Sequence, residues 1–356
     1  MTQLADILAR RIAKTGPMSL MEFMAECLLH PQHGYYTTRD PFGTGGDFIT
    51  APEISQMFGE LLGLCLAQSW MDQGCPTPFT LAEIGPGRGT LMADVLRATK
   101  AVPNMHAAMQ VHLIEASPTL RAVQRDTLTG VDVTWIDEAA SLPAHPLWLV
   151  ANEFFDALPI RQFTRDAQGW RETQVALAGE ALTLGLSSPA PIAALDHRLA
   201  DTKTGDVVEI CPAAHPIVTE IAARITTNGG AAIFIDYGDW RSLGDTFQAL
   251  KAHKSVDPLA QPGLADLTAH VDFEALARAA QTVGAAVSGM VSQGELLGRL
   301  GIAHRAHSLA QNLADDALTA HIKAFERLTS PSEMGTLFKA IAIAPTPSLL
   351  PPGFAQ

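Results

Sequence analysis

Positive charge is in short supply in this chain. Twenty-four Lys and Arg stand against 37 Asp and Glu, a formal net charge of -13. Neutralising a phosphate backbone takes clustered cations, so no nucleic-acid surface is expected. Cysteine is scarcer still: Cys27, Cys65, Cys75 and Cys211 are scattered, with no C-x-x-C pair. That spacing excludes a disulfide framework and reads as reduced, buried thiols in a reducing compartment. His30 and His33 lack a third ligand nearby, so no metal site is expected. No uninterrupted apolar run approaches the ~20 residues that cross a bilayer, which argues against membrane insertion. The N-terminus puts Leu4, Ile7, Leu8 and Ile12 on one helical face but lacks a signal peptide's apolar centre and cleavage site. Charged residues make up only 17% against 47% apolar, which favours a sizeable core over disorder. The 356 residues suffice for one large domain with insertions or two smaller ones.

Against this background one stretch organises the rest: Thr80-Leu81-Ala82-Glu83-Ile84-Gly85-Pro86-Gly87-Arg88-Gly89-Thr90. An apolar strand runs into a glycine turn, and a helix opens from Leu91. Glycine permits the tight turn and lets a ligand approach the backbone. Such a unit at the start of a parallel sheet is a nucleotide-cofactor cradle. No Gly-Lys-Ser/Thr follows, which excludes a phosphate-gripping P-loop. The spacing is Gly-x-Gly-x-Gly, not the Gly-x-Gly-x-x-Gly of dinucleotide sites. Glu83 would repel a pyrophosphate but suits a cofactor carrying an ammonium and a sulfonium, such as S-adenosylmethionine (SAM). The next apolar run, Val111 to Ile114, ends in Glu115, where ribose hydroxyls are held.

Residues 1–75 read as helical, with Ser19 and Glu22 at capping-box spacing. A glycine-rich loop over 40–55 interrupts them and reads as an active-site lid hinged on Gly43, Gly45 and Gly46. Strands are expected at 79–84, 109–115, 131–136, 146–151 and 230–236, and helices at 89–99, 117–127 and 213–227. Alternation of this kind implies a parallel sheet with helices on both faces. Glu83, Glu115, Asp137 and Asn152 would line its C-terminal rim. The expected main domain spans 76–344, with insertions at 160–210, opening on a hairpin, and at 237–270. Late strands near 285–292 and 336–344 would add an antiparallel edge, with helices at 293–303, 305–313 and 316–328 between them. A loose tail covers 345–356.

The fourth strand ends in Asn152-Glu153-Phe154-Phe155-Asp156-Ala157-Leu158-Pro159. Asn152 can hold an amine. Glu153 and Asp156 could grip a cationic substrate, and the two phenylalanines could exclude water. The plain alternative is a turn with surface acids and core phenylalanines. Asp236-Tyr237-Gly238 repeats the pattern after the fifth strand. His270 is a conceivable proton acceptor, although a lone histidine is more often structural.

Taken with Gly46-Asp47-Phe48-Ile49-Thr50-Ala51-Pro52-Glu53-Ile54-Ser55 and Asp266-Leu267-Thr268, these stretches resemble, in order from about residue 4 to 343, one family. It is that of the mitochondrial protein arginine methyltransferase that assists complex I assembly, with bacterial (MidA-like) relatives. Two positions depart from the expected pattern: Asn152 stands for a histidine and His270 for an acid. The resemblance implies a Rossmann-like class I SAM-dependent methyltransferase fold with a mostly parallel seven-stranded sheet. It implies symmetric dimethylation of an arginine on a respiratory complex I subunit or equivalent protein, and it allows a homodimer. The cofactor would meet Thr50, Glu53, Glu83, Gly85, Pro86, Gly87, Glu115, Asp137 and Asn152. A guanidinium has no free lone pair at neutral pH, and paired carboxylates can hold it and concentrate electron density on one nitrogen. Glu153 and Asp156 are the catalytic candidates, with Asp236 in reserve. No presequence precedes the matched region, so a bacterial cytoplasmic protein is expected, or a mitochondrial matrix protein if the chain is eukaryotic. Two other readings stay open: a SAM-binding assembly chaperone without turnover, and an NAD(P)-dependent oxidoreductase, against which Glu83 and the glycine spacing argue.

Overall fold

Six apolar strands carry one sheet: β1 (Phe79–Ile84), β2 (Met109–Ile114), β3 (Val133–Ile136), β4 (Leu147–Asn152), β5 (Gly230–Asp239) and β6 (Phe338–Ala344). Every residue of β1 and β4 is buried, as a strand covered on both faces requires. The coordinates are a computed structural model that describes residues 2–38, 49–345 and 350–355. The expected lid hinges Gly43, Gly45 and Gly46 lie outside the described residues. The chain divides into two compact units, Ile49–Phe155 with His215–Trp240 and Phe273–Gln356, and Met1–Phe48 with Asp156–Ala214 and Arg241–Asp272.

In the first of these units β1 lies between β2 and β4, β3 flanks β2, and β5 flanks β4, all parallel. β6 runs antiparallel along β5, from Ala232 opposite Ile343 to Tyr237 opposite Phe338. Within this unit the described residues add two short strands to these six, so the sheet numbers eight strands and not the expected seven. The late strand expected near 285–292 breaks into Ala286–Val287 and Val291–Ser292, both antiparallel to β6.

Two helices pack closely beside the sheet. They are α1 (Gln56–Asp72) and α2 (Thr90–Thr99). A Cβ on Gly59 would sit 2.6 Å from Asp94 Cβ, and one on Gly63 would sit 2.9 Å from Val95 Cα. Only glycine lets the two backbones come this near. α3 (Pro118–Thr127) begins with Ser117 as its cap and proline in its first turn.

The expected loose tail is corrected over 350–355. Cys65 donates to the Pro352 carbonyl, Arg299 to that of Gly353, and Gly289 to that of Ala355. Phe354 packs on the apolar core. Partial burial of that ring and satisfied carbonyls outweigh the proline-rich composition. Of the four thiols, Cys27 and Cys65 are buried as expected, whereas Cys211 is half-buried and Cys75 is exposed.

The other unit holds the helix Gln3–Thr15, capped by Thr2, and the helix Leu20–Leu29, whose Ser19–Glu22 capping box is present. The hairpin after Ile160 forms from Arg161–Asp166 and Gly169–Ala178, with Asp166 opposite Gly169. Met18–Ser19, Val207–Ile210 and Ala181–Leu186 extend it to five strands. Leu8, Phe23, Met24, Val175 and Leu267 are part of its core. Both segments expected as insertions thus contribute to this unit together with the N-terminal residues.

Candidate cofactor and acceptor site

In a parallel sheet the strand tips lie along one edge, and three hydrogen bonds fix that edge here. Gly85 N–H donates to the Ile114 carbonyl at 3.1 Å, Glu115 N–H to Ile136 at 3.1 Å, and Glu153 N–H to Ile235 at 2.9 Å. The loops after β1, β2 and β4 therefore leave the sheet side by side, as ligand sites in open α/β sheets do.

The glycine loop turns at Gly85, φ +67°, Gly87, φ +51°, and Gly89, φ +82°, where α2 begins. Gly85 is also a close approach: a Cβ there would meet the Phe154 ring at 2.8 Å. Pro86 is buried between the first two glycines. Glu83 is 3% exposed, and its Oε2 has no hydrogen-bond partner among the described residues. Burial pushes its carboxyl up to about 8; the Met92 amide opposes this and the Glu115 charge adds to it. A buried acid with an unsatisfied oxygen fits a cation.

Glu115 is better held. Its Oε1 accepts the Ser117 amide at 2.7 Å and its Oε2 the Gln124 side-chain amide at 3.2 Å. Burial still raises its carboxyl above the usual range, against these bonds and the Arg121 charge. Arg121 donates to the Glu115 carbonyl at 2.7 Å and to Asp137 at 2.6 Å. Asp137 is exposed and already ion-paired, which leaves it the weakest of the expected cofactor contacts.

Asn152 ends β4. Its Nδ2 donates to Glu153 Oε1 at 3.0 Å, and its buried Oδ1 has no partner among the described residues. Glu153 adopts φ +52°, left-handed backbone that costs a non-glycine residue about 1 kcal/mol or more. Its Oε1 also accepts the Ala51 amide at 2.9 Å. Thr50 stands at the N-cap position of the short helix Ala51–Ile54, where its carbonyl accepts the Glu53 amide, and the Glu53 side chain accepts the Thr90 hydroxyl at the start of α2. Thr50, Glu53, Glu83, Glu115, Asn152 and Glu153 thus belong to one unit.

Asp236, wholly buried, accepts the Phe154 and Phe155 amides on Oδ2 and the Tyr237 amide on Oδ1. Those bonds hold the turn after β4 to β5. Asp156 falls in the other unit, where its carbonyl accepts the Ala269 amide at 3.0 Å. In the same unit Tyr36 donates to Asp266 at 2.8 Å, and burial, then the charges of Asp266 and Asp156, hold its phenol well above the ordinary range. The His270 amide donates to Thr246 Oγ1 at 2.8 Å.

Gln124, Arg121 and Trp135 escaped the sequence reading. For Gln124 a signal existed. It stands four residues after Leu120 and four before Leu128, a polar side chain inside an apolar stripe.

A largely parallel sheet with an antiparallel β6, a glycine loop after β1 and acids after β1, β2 and β4 defines a class I SAM-dependent methyltransferase. Residues 61–291 match the family described as "Putative S-adenosyl-L-methionine-dependent methyltransferase". The chain is 36% identical to "Protein arginine methyltransferase NDUFAF7, mitochondrial" of Homo sapiens, over 94% of this chain and 82% of that one. The Drosophila melanogaster homolog is also 36% identical, over 96% and 85%. A crystal structure from Burkholderia thailandensis, described as a "likely methyl transferase" bound to S-adenosyl-homocysteine, matches with a TM-score of 0.81 at 32% identity, over 96% of this chain and 91% of that one. This chain belongs to that SAM-dependent methyltransferase family. Its residues fit the cofactor: among the described residues Glu83 and Asn152 each keep a buried oxygen without a partner, and Glu115 offers a fixed carboxylate. None of the described helices is long and apolar enough to cross a membrane.

Proposed function

We propose that this chain transfers a methyl group from each of two SAM molecules, in turn, to the two terminal guanidinium nitrogens of an arginine in a protein, releasing two S-adenosyl-homocysteine and giving symmetric dimethylarginine on a respiratory complex I subunit or its bacterial equivalent. The bound cofactor supplies an electrophilic methyl carbon on sulfur. Glu83 balances its charge, Glu115 holds its ribose, and Asn152 holds its amine. Transfer is an in-line displacement in which positioning and water exclusion matter most. Glu153 meets the cationic acceptor: a carboxylate can bond two guanidinium N–H groups and leave electron density on the third nitrogen. The nitrogen that gains the methyl group loses a proton.

One observation carries this beyond the family level. Glu153 stands at the C-terminal end of β4 in left-handed backbone, and such strain gathers at working sites. The similarity to proteins named as arginine methyltransferases supports the same acceptor. The reaction is proposed for a reducing compartment, the bacterial cytoplasm or the mitochondrial matrix, which suits four free cysteines.

The test is quantitative mass spectrometry of arginine methylation in cells with the gene, without it, and with Glu153→Gln. Expected is one dimethylarginine site lost in the second and third and restored by the wild-type gene. An arginine methylation profile identical in all three defeats the acceptor assignment.

A further inference from the structure

Gln124 is the fully buried polar residue of α3. Its amide makes three hydrogen bonds. Nε2 donates to the Gly87 carbonyl at 2.7 Å and to Glu115 Oε2 at 3.2 Å. Oε1 accepts the Trp135 indole N–H at 2.8 Å. An indole N–H can only donate, so Trp135 fixes which end of the amide is oxygen. The NH2 end is then directed at the loop carbonyl and the acid, with both hydrogens used. Trp135 is itself held, with the Arg125 guanidinium 5.0 Å from its ring centroid.

The two groups that Gln124 bridges come from different loops. Gly87 lies in the glycine turn after β1, and Glu115 directly follows β2. Resting on the cofactor reading above, we propose that Gln124 is a positioning residue for cofactor binding, with Trp135 setting its orientation. Its amide ties the glycine loop to the ribose-holding carboxylate and fixes their separation before the ligand arrives. Ordering these groups during folding removes that cost from binding. Neither residue is assigned contact with the cofactor; both act through Gly87 and Glu115.

Gln124→Met keeps length and bulk but removes all three bonds. Gln124→Glu keeps an acceptor for Trp135 but sets a second carboxyl oxygen against Glu115. Trp135→Phe keeps an aromatic ring and removes the N–H that orients the amide. S-adenosyl-homocysteine affinity is measured by calorimetry on the full chain, beside circular dichroism and the melting temperature without ligand. Loss of a hydrogen bond to a charged group corresponds to about tenfold in affinity. Gln124→Met and Gln124→Glu are therefore expected to weaken binding by about tenfold or more, and Trp135→Phe by about threefold. The Trp135→Phe effect should vanish in the Gln124→Met background.

A purely structural role would lower the melting temperature and leave the affinity of folded molecules unchanged. Folded variants that all bind within about twofold of wild type overturn the proposal. Should Gln124→Met not fold, Gln124→Glu and Trp135→Phe decide by the same criterion. Wild type that binds no S-adenosyl-homocysteine overturns the cofactor reading and this proposal together; wild type that binds alongside unaffected variants overturns the proposal alone.

Discussion

The backbone amide of Phe155 donates to Asp236 Oδ2 at 3.0 Å, joining the turn after β4 to the buried middle of β5. The Phe154 amide reaches the same oxygen at 3.2 Å, and the Tyr237 amide reaches Oδ1 at 2.9 Å. Asp236→Ala leaves these amides without their acceptor, at about 1–3 kcal/mol for each that stays unsatisfied. The expected loss in urea unfolding is about 3 kcal/mol or more, and about half that for Asp236→Asn, which keeps one oxygen. Because Glu153 is held in left-handed backbone next to this turn, transfer should fall further than S-adenosyl-homocysteine affinity. An unchanged unfolding midpoint in Asp236→Ala would show that the turn stands without it.

Glu83 makes the ligand-free protein sensitive to pH. Its folded-state carboxyl lies near 8, against an ordinary value of 4.5. Between those values the folded chain holds a proton that the unfolded chain has released. Stability should therefore fall as pH rises through this window, by up to a few kcal/mol. A cationic ligand favours the charged carboxylate, so binding at pH 7 should release a proton. Calorimetry in buffers of different ionisation enthalpy reads this directly. Glu83→Gln should flatten the stability profile and abolish the proton release along with most of the affinity. Binding with no proton release at pH 7 would mean that Glu83 does not change its charge on binding, and so does not become the counter-charge of the ligand.

The parts of the site visible in the sequence are those written along one strand and its loop. Glu83 precedes three glycines, and Glu115 ends an apolar run, so strand period and turn chemistry placed both without tertiary information. Ser19 and Glu22 showed their capping box in the same way. What stayed hidden depends on segments meeting in space. The Gln124–Trp135 bond needs the register of α3 against β3. The bonds that Asp236 accepts from the Phe154 and Phe155 amides span 82 and 81 residues. The second unit assembles from three separate stretches, which no local pattern announces. Residues 350–355 read as loose because their carbonyl partners, Cys65 among them, lie far back in the chain.

Gly85 tests whether the glycine loop and the post-β4 turn are mechanically joined. A Cβ at Gly85 would sit 2.8 Å from Phe154 Cδ2 on a backbone with φ +67°. Gly85→Ala should cost about 1–3 kcal/mol from left-handed strain and overpacking. Phe154→Ala in the same chain removes the clash and leaves the strain. The double variant should therefore recover part of the stability, with a coupling of about 0.5 kcal/mol or more. Strict additivity of the two changes in urea unfolding would indicate that ring and loop are independent.

Glu60 supplies a test of stability away from the cofactor. This side chain of α1 is 5% exposed and receives Arg305 through two bonds, Nε at 2.7 Å and a second nitrogen at 2.9 Å. Arg97 of α2 reaches Oε1 of the same carboxylate and bonds to Asp94. Burial pushes the Glu60 carboxyl up, but the bonds from Arg305 and Arg97 outweigh it and hold the group below its ordinary 4.5. A carboxyl depressed in the folded state contributes above its unfolded value and loses that contribution as pH falls through the folded one. Arg97 and Arg305 are 46% and 38% exposed, so solvent screens the pairs and the contribution is smaller than for a fully buried network. Glu60→Gln should therefore destabilise by about 1–3 kcal/mol at pH 7 and by progressively less toward pH 4. S-adenosyl-homocysteine affinity should stay within about twofold, since Glu60 touches none of the groups placed at the cofactor. Urea titrations of both proteins at pH 7 and pH 4 check the sign, and a difference that grows as pH falls would show that the pairs do not stabilise the fold.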